Sequence, residues 1–268
     1  MKIQEIHSFE HYEDFIGELA GHPFYSDPHF TFSKDNLYHS IMRKDEYAFA
    51  VSENGKTEGL FVWLVIPDDR YIEMIIGLTG KEEAFTEMLS YMQKNYRGYK
   101  IDFVLNPLNP AISRPLKMKG AAFEPEQQKM ILTGPSPNVS ANRIELLSEK
   151  WIKQYSDLHN IDTYWTAERI LSAQDKFRVL LAVKDGQVQG YLDVQCCHDM
   201  HEIYDLYTKP EAAQQGNEMA LLAKAIELSR PHQLMVVVAV DATAEIELYT
   251  AAGFSRLEGQ NSITAHIT

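Results

Sequence analysis

From residue 48 the chain alternates short apolar runs with turn-forming clusters, and the same alternation returns from residue 179. The runs 48–51 and 59–66 flank Glu53-Asn54-Gly55, and the runs 179–183 and 190–195 flank Lys184-Asp185-Gly186. An Asn-Gly or Asp-Gly pair between two strand-like runs predicts a β-hairpin. A third strand follows each hairpin, over 71–78 and 202–207. Each then leads to a helix, over 81–95 in the first series and through Met219, Leu221, Leu222, Ala225 and Ile226 in the second. Strands over 100–105 and 234–240 come next. The second of these feeds a helix over 241–254 that carries Ile246 and Tyr249 on one face and stops at Gly253. Helical material also precedes each hairpin. Ser8 is the expected N-cap of a helix to about residue 19, with another helix over 34–43; the second series has helices over 148–159 and 166–174.

The two series are one pattern written twice. Gly55 and Gly186, Gly59 and Gly190, Ile72 and Ile203, Met88 and Met219, and Phe123 and Phe254 are each 131 residues apart (186 − 55, 190 − 59, 203 − 72, 219 − 88, 254 − 123). The fold class expected is α/β, of the α+β type, with two tandem units, each a mostly antiparallel mixed and twisted sheet flanked by helices. Thr133-Gly134-Pro135-Ser136-Pro137-Asn138 reads as an extended linker. The expected domains are therefore 1–133 and 139–268, with 134–138 between them. After the third strand the repeats diverge. The second passes Pro210 and Gly216, whereas the first runs from Gly80 into its helix with no further glycine, and Met118 stands where the second has Tyr249 (249 − 118 = 131).

The stretch EIYDLYTKPEAAQQGNEMALL, 202–222, goes from strand through a polar loop with one glycine into an apolar helix. Backbone N–H groups in the first turn of a helix lack intrahelical partners and sit at the positive end of the macrodipole; a nearby glycine lets them approach a phosphate closely. With the following strand and LYTAAGF, 248–254, this order resembles the GNAT superfamily of acyl-CoA-dependent N-acyltransferases. The resemblance covers 178–268 directly and the first unit through the repeat. It implies two tandem GNAT-like units, the first of which has lost the cofactor chemistry, and acetyl-CoA as co-substrate. It further implies that the backbone at Gln214, Gln215, Gly216, Asn217, Glu218 and Met219 holds the CoA pyrophosphate. Backbone groups of Leu206, Tyr207 and Thr208, on a splayed strand, would hold pantetheine and polarise the thioester carbonyl, and Tyr249 would act as general acid for the departing thiolate. Where the family's loop reads Arg/Gln-x-x-Gly-x-Gly/Ala, this chain has Ala213, Gly216 and Glu218, and Ala242 stands in place of a common Asn. A carboxylate at the helix start keeps a second expectation open, a GNAT-fold pseudoenzyme that binds or regulates without acetyl transfer.

Transfer to an amine also needs a proton acceptor. Glu202 and Asp205 on the third strand are the candidates. Three residues apart on a regular strand, they point to opposite faces, so one alone faces the acceptor. The run CCHDMHE, Cys196 to Glu202, contains zinc-ligating residue types, but without the helical HExxH spacing and at an expected hairpin turn; no metal is expected.

Composition narrows the partners. The 268 residues are 45% hydrophobic and 24% charged, an ordinary globular balance. Lys plus Arg number 25 against 38 Asp plus Glu, a net charge of −13. That speaks against a nucleic-acid backbone as partner and suits an amine-bearing small molecule or peptide. No apolar run approaches the roughly 18 residues that span a bilayer, and the N-terminal stretch lacks the apolar segment of a signal peptide. The two cysteines, Cys196 and Cys197, are neighbours, which disfavours a structural disulfide between them. The expectation is a cytoplasmic protein without membrane association; oligomeric state carries no sequence signal.

Overall fold

The computed structural model describes residues 1–29, 43–139, 144–196, 200–213 and 215–267. Along the chain these form β1 (Lys2–Ile6), α1 (Glu13–Ala20), β2 (Glu46–Glu53), β3 (Lys56–Ile66), β4 (Tyr71–Leu78), α2 (Glu82–Asn95), β5 (Lys100–Leu105), α3 (Pro110–Met118), β6 (Ala122–Phe123) and β7 (Gln127–Leu132). They continue with β8 (Ile144–Leu146), α4 (Ile152–Leu158), α5 (Ala167–Ser172), β9 (Phe177–Lys184), β10 (Gln187–Gln195), β11 (Met200–Thr208), α6 (Pro210–Ala213), α7 (Asn217–Ser229), β12 (Gln233–Ala239), α8 (Thr243–Ala251), β13 (Phe254–Arg256) and β14 (Ile263–Ile267). The helix expected over 34–43 lies, but for Arg43, outside the described residues.

Local chemistry accounts for the elements. Asn54 and Gly55 (φ 52° and 81°) join β2 to β3, and Asp185 and Gly186 (φ 50° and 74°) join β9 to β10. Two successive left-handed residues give the hairpin turn whose twist matches that of the strands. After β5 a capped helix starts. The Asn109 side-chain oxygen accepts the Ala111 N–H at 3.0 Å, and Pro110 occupies the first turn of α3.

The chain divides into unit 1, Met1–Gln128 with Glu258–Thr268, and unit 2, Lys129–Leu257. The unit 1 sheet has the order β1-β2-β3-β4-β5-β14-β6, and the unit 2 sheet, read from its β8 edge, β8-β9-β10-β11-β12-β7-β13. The two orders correspond position by position, with β7 and β14 exchanged between the repeats. β14 runs antiparallel to β5 from Ile263↔Leu105 to Ile267↔Ile101, and pairs with β6 on its other side. β7 runs antiparallel to β13, with Leu132 opposite Phe254. The division therefore falls at 128/129 and again at 257/258 rather than at residues 134–138. Gly134 is part of unit 2, its N–H donating to the Gly253 carbonyl at 2.8 Å.

Each sheet buries both faces. In unit 1, Phe61, Trp63, Met74 and Phe103 pack with Phe85 and Met88 of α2, while Leu60, Val62 and Ile76 pack with Ile16 and Leu19 of α1. In unit 2, Leu192, Val194, Ile203 and Val236 meet Leu221, Leu222 and Ile226 of α7 together with Tyr249 of α8. The opposite face sets Val179, Leu181 and Tyr191 against Trp151, Tyr155 and Ile170. No helix among the described residues is long and apolar enough to cross a membrane.

Candidate active site of unit 2

β11 pairs in parallel with β12 only from Met200↔Gln233 to Ile203↔Val236. Beyond that, β10 alone accompanies it, with Leu192↔Leu206, Tyr191↔Tyr207 and Gly190↔Thr208. Among the described residues, the other edge of 204–208 has no strand partner. A Cβ at Gly190 would lie 2.5 Å from the Tyr207 carbonyl oxygen and 2.9 Å from Thr208 Cα, so only glycine lets β10 lie this close.

The loop after β11 turns at Gly216 (φ 74°), the residue before α7. Gln215 spends its N–H on the Ala212 carbonyl at 3.0 Å, as the Asn217 side chain does also at 3.0 Å. The backbone N–H groups of Gly216, Asn217, Glu218 and Met219 have no acceptor among the described residues. Unpaired donors at the positive end of a 13-residue helix form a ready anion site. The Glu218 carboxylate does not cap them; its Oε1 accepts the Thr208 hydroxyl at 2.9 Å, toward the end of β11. Lys184 sets its Nζ 3.0 Å from Gln215 Oε1, placing beside this loop the cation that Ala213 does not provide. Sequence reasoning missed Lys184 because it belongs to the distant hairpin turn. Gln214 lies outside the described residues.

Tyr249 is buried on α8, its ring edge-on to Phe254 at 5.6 Å. The hydroxyl makes no hydrogen bond to the described residues. Burial pushes its pKa up, and the negative charges of Glu245, Asp205 and Glu218 add to that.

The expectation that Glu202 and Asp205 lie on opposite faces is corrected by a β-bulge. Asp193 faces Asp205 but Val194 faces Ile203, so Tyr204 is an extra residue in β11. Ile203 and Leu206 join the core beneath α7, whereas Tyr204 and Asp205 both turn to the α4 side. There the Tyr204 hydroxyl meets Thr163 Oγ1 at 2.6 Å, and Asp205 Oδ2 accepts the Tyr191 hydroxyl at 2.6 Å. Strand alternation from Ile203 places Glu202 on that same side. Glu202 is half-buried, and burial raises its pKa to about 7 against the lowering influence of Lys129. A carboxylate whose folded pKa lies above its unfolded value contributes stability below the unfolded pKa, near 4.5, and loses it as pH rises to about 7. Glu202→Gln is accordingly expected to raise stability by roughly 1–2 kcal/mol at pH 8, after discounting for partial exposure, and to be neutral below pH ~4.5. Denaturant melts at the two pH values would check this.

A second network on this side was not foreseen. His159 Nδ1 lies 2.8 Å from the Asn160 carbonyl and Nε2 2.9 Å from Asp193 Oδ2. The Tyr155 hydroxyl donates to the same carboxylate at 3.1 and 3.2 Å. The His159 ring stacks on Tyr191 at 4.9 Å. His159, Asp193 and Asp205 have polar atoms all within 4.8 Å of one another; His159 bonds Asp193 and the Asn160 carbonyl, Tyr155 bonds Asp193, and Asp205 bonds Tyr191. The one sequence signal was a carboxylate between Leu192 and Val194 in a buried strand. Of the CCHDMHE run, Cys196 is half-buried with its thiol toward the Val194 carbonyl, and His201 is buried and stacked on His232 at 4.4 Å; Cys197, His198 and Asp199 lie outside the described residues.

The sequence of residues 144–254 matches the profile of the family described as "Acetyltransferase (GNAT) family". Those residues are a GNAT acetyltransferase domain. No curated protein matches the sequence. Among solved structures, a GCN5-related N-acetyltransferase from Sphaerobacter thermophilus has 12% identity and a TM-score of 0.65 over 88% of this chain and 85% of that one. A tandem GNAT protein from the clavulanic acid biosynthesis pathway has 11% identity and a TM-score of 0.60 over 99% and 98%. A GNAT-family acetyltransferase from Colwellia psychrerythraea has 13% and 0.57 over 99% of each. At such identities the likeness is one of fold, and it extends over both GNAT-like units.

In unit 1 the same fold lacks the opening. β4 likewise pairs with β5 only over Tyr71–Met74. Beyond it, the buried Asp27 carboxylate accepts the Gly77 N–H at 2.7 Å, at the position that repeats as Thr208 in the GNAT domain of unit 2 (208 − 77 = 131). Asn106 ties down the same segment through the Pro23 and Ser26 carbonyls at 3.1 and 3.3 Å, and the Tyr25 ring covers Gly80. Asp27 therefore takes up a backbone N–H on the edge of β4 that corresponds to the β11 edge of unit 2.

Proposed function

We propose that unit 2 transfers an acetyl group from acetyl-CoA to an amine of a small molecule or peptide. The observation that carries this reading is the row of amides at Gly216–Met219 and the neighbouring edge of β11, both without partners among the described residues. The amides and Lys184 receive the diphosphate, with Gln215 beside them in the loop. The free edge at Leu206, Tyr207 and Thr208 orients pantetheine and the thioester carbonyl. Acetyl-CoA supplies the activated acyl group. Asp205, on the bulge beside Leu206, takes a proton from the acceptor's ammonium group, and Glu202 stands further back on the same face. Tyr249, whose hydroxyl is uncommitted, protonates the departing thiolate.

One observation favours the other reading, a pseudoenzyme. The Glu218 carboxylate lies in the first turn of α7, where it opposes an incoming diphosphate. Isothermal titration with acetyl-CoA and with free CoA decides between them. One site per chain at a micromolar Kd is expected; no heat at millimolar ligand would make the chain a pseudoenzyme. Lys184→Ala is expected to weaken CoA binding by about 3- to 10-fold at low salt, the difference shrinking as salt screens the contact. Acceptors are then sought by free-thiol release across a panel of primary amines.

A further inference from the structure

We infer that the buried His159–Asp193 pair holds one proton between its two members and thereby keeps the facing Asp205 carboxylate free to accept a proton from the acceptor amine. The inference rests on the reading of Asp205 as that acceptor. Both nitrogens of His159 face oxygens that accept. A peptide carbonyl cannot donate, so Nδ1 carries a hydrogen. The contact between Nε2 and Asp193 Oδ2 then needs a hydrogen of its own, either on the ring or on the carboxyl group. Tyr155 does not provide it, because its hydroxyl is a separate donor to Asp193. The side chains are 1% and 0% exposed, so bulk water does not take the place of either partner.

The consequence reaches Asp205 through the strand pairing. Asp193 lies directly opposite it, with carboxylate oxygens inside the 4.8 Å cluster. Two bare carboxylates so placed compete for a single proton. The shared proton makes the His159–Asp193 pair neutral as a whole, and the competition ends. The other groups facing this space do not substitute for it. Tyr155, Tyr191, Tyr204 and Tyr207 are phenols, Val179 and Leu181 of β9 are apolar, Glu202 is itself an acid, and Arg169 of α5 is turned onto the Tyr164 ring. The titration tendencies agree with the geometry. Burial lifts Asp193 to about 6. Burial pulls His159 down, but its bonds to Asp193 and the Asn160 carbonyl outweigh this and the net shift is upward.

In the reaction, the ammonium group gives one proton to Asp205 and becomes a neutral amine. Its lone pair forms the C–N bond as the C–S bond breaks, and Tyr249 protonates the thiolate. The second N–H proton, released as the amide forms, restores Tyr249, and Asp205 returns its proton to water. His159 and Asp193 touch no substrate and are positioning residues.

The test needs no acceptor and no CoA, so its failure is separate from failure of the acetyltransferase reading. Carboxyl titrations followed by 13C NMR in aspartate-labelled full-length protein report Asp205 directly, and 15N shifts report the His159 ring. His159→Gln keeps a donor to Asp193 but removes the extra proton; Asp193 and Asp205 then titrate as a coupled pair, whose upper midpoint is expected to rise by about one pH unit. His159→Gln with Asp193→Asn, which leaves Asp205 without that rival, is expected to restore the lower value. An unmoved midpoint in the single variant, or an unrestored one in the double, overturns the inference, since a purely structural pair would alter the melting temperature and not the titration. Should the glutamine variants fail to fold, Asp193→Asn alone decides. It is expected to leave Asp205 within about 0.3 pH unit and to convert His159 at pH 7 to the neutral ring; a ring still doubly protonated overturns the inference.

Discussion

Tyr249→Phe is expected to lower turnover about 100-fold with an acceptor from the amine screen, while the Kd for acetyl-CoA stays within about twofold. The hydroxyl makes no hydrogen bond to the described residues, so its removal leaves no buried partner unsatisfied, and the ring keeps its packing on Phe254. The melting temperature should therefore hold. This combination separates a proton donor from a packing residue, since a packing defect would lower the melting temperature and the turnover together. Steady-state kinetics, titration calorimetry and a thermal melt of the one variant suffice. Equal turnover in mutant and wild type removes Tyr249 as the acid.

A chain stopped after Leu257 is expected to lose the cooperative melting of unit 1, a deficit of about 5 kcal/mol or more. Without β14, β5 loses five paired residues, β6 loses its pairing partner, and the fully buried Ala265 vanishes from the core. Scanning calorimetry should show the unit 2 transition preserved and that of unit 1 missing. A finer version targets His266, which binds Asp102 and Glu124, each at 2.8 Å. Burial alone would lower its pKa, but the two carboxylates raise it. A histidine with a raised folded pKa contributes stability below about 6.5 and loses it as pH climbs through the folded value. His266→Ala should thus cost about 1 kcal/mol at pH 6 and close to nothing at pH 9, as paired melts would show.

The repeat, the hairpins and the loop at Gly216 were legible in the sequence because each depends on neighbours in the chain. A left-handed Asn-Gly or Asp-Gly turn or a glycine ahead of an apolar helix is a local statement. Strand exchange is not. β7 and β14 are short strands whose place is decided by edges far off in sequence, so a Pro- and Gly-containing segment after β7 looked like a linker although it packs in unit 2. The bulge at Tyr204 escaped notice for a related reason. Its extra residue is defined only against the register of β10, and without it Glu202 and Asp205 take opposite faces. Glu218 stands out in the sequence as a departure from the family's loop, but its direction depends on Thr208, ten residues earlier (218 − 208). His159 and Asp193 meet only once α4 is laid on β10.

The exchanged strands also fix an order of events during synthesis. β5 is made 158 residues before the strand that lies against it (263 − 105), so the first half of the chain waits with an open sheet edge until residues 263–267 exist. The second unit has every strand it needs once residue 257 has been made. The part translated later can therefore close first, and the part translated first is completed last. An edge left open for that interval is a template for pairing with other chains, which makes nascent-chain aggregation the characteristic hazard of this topology.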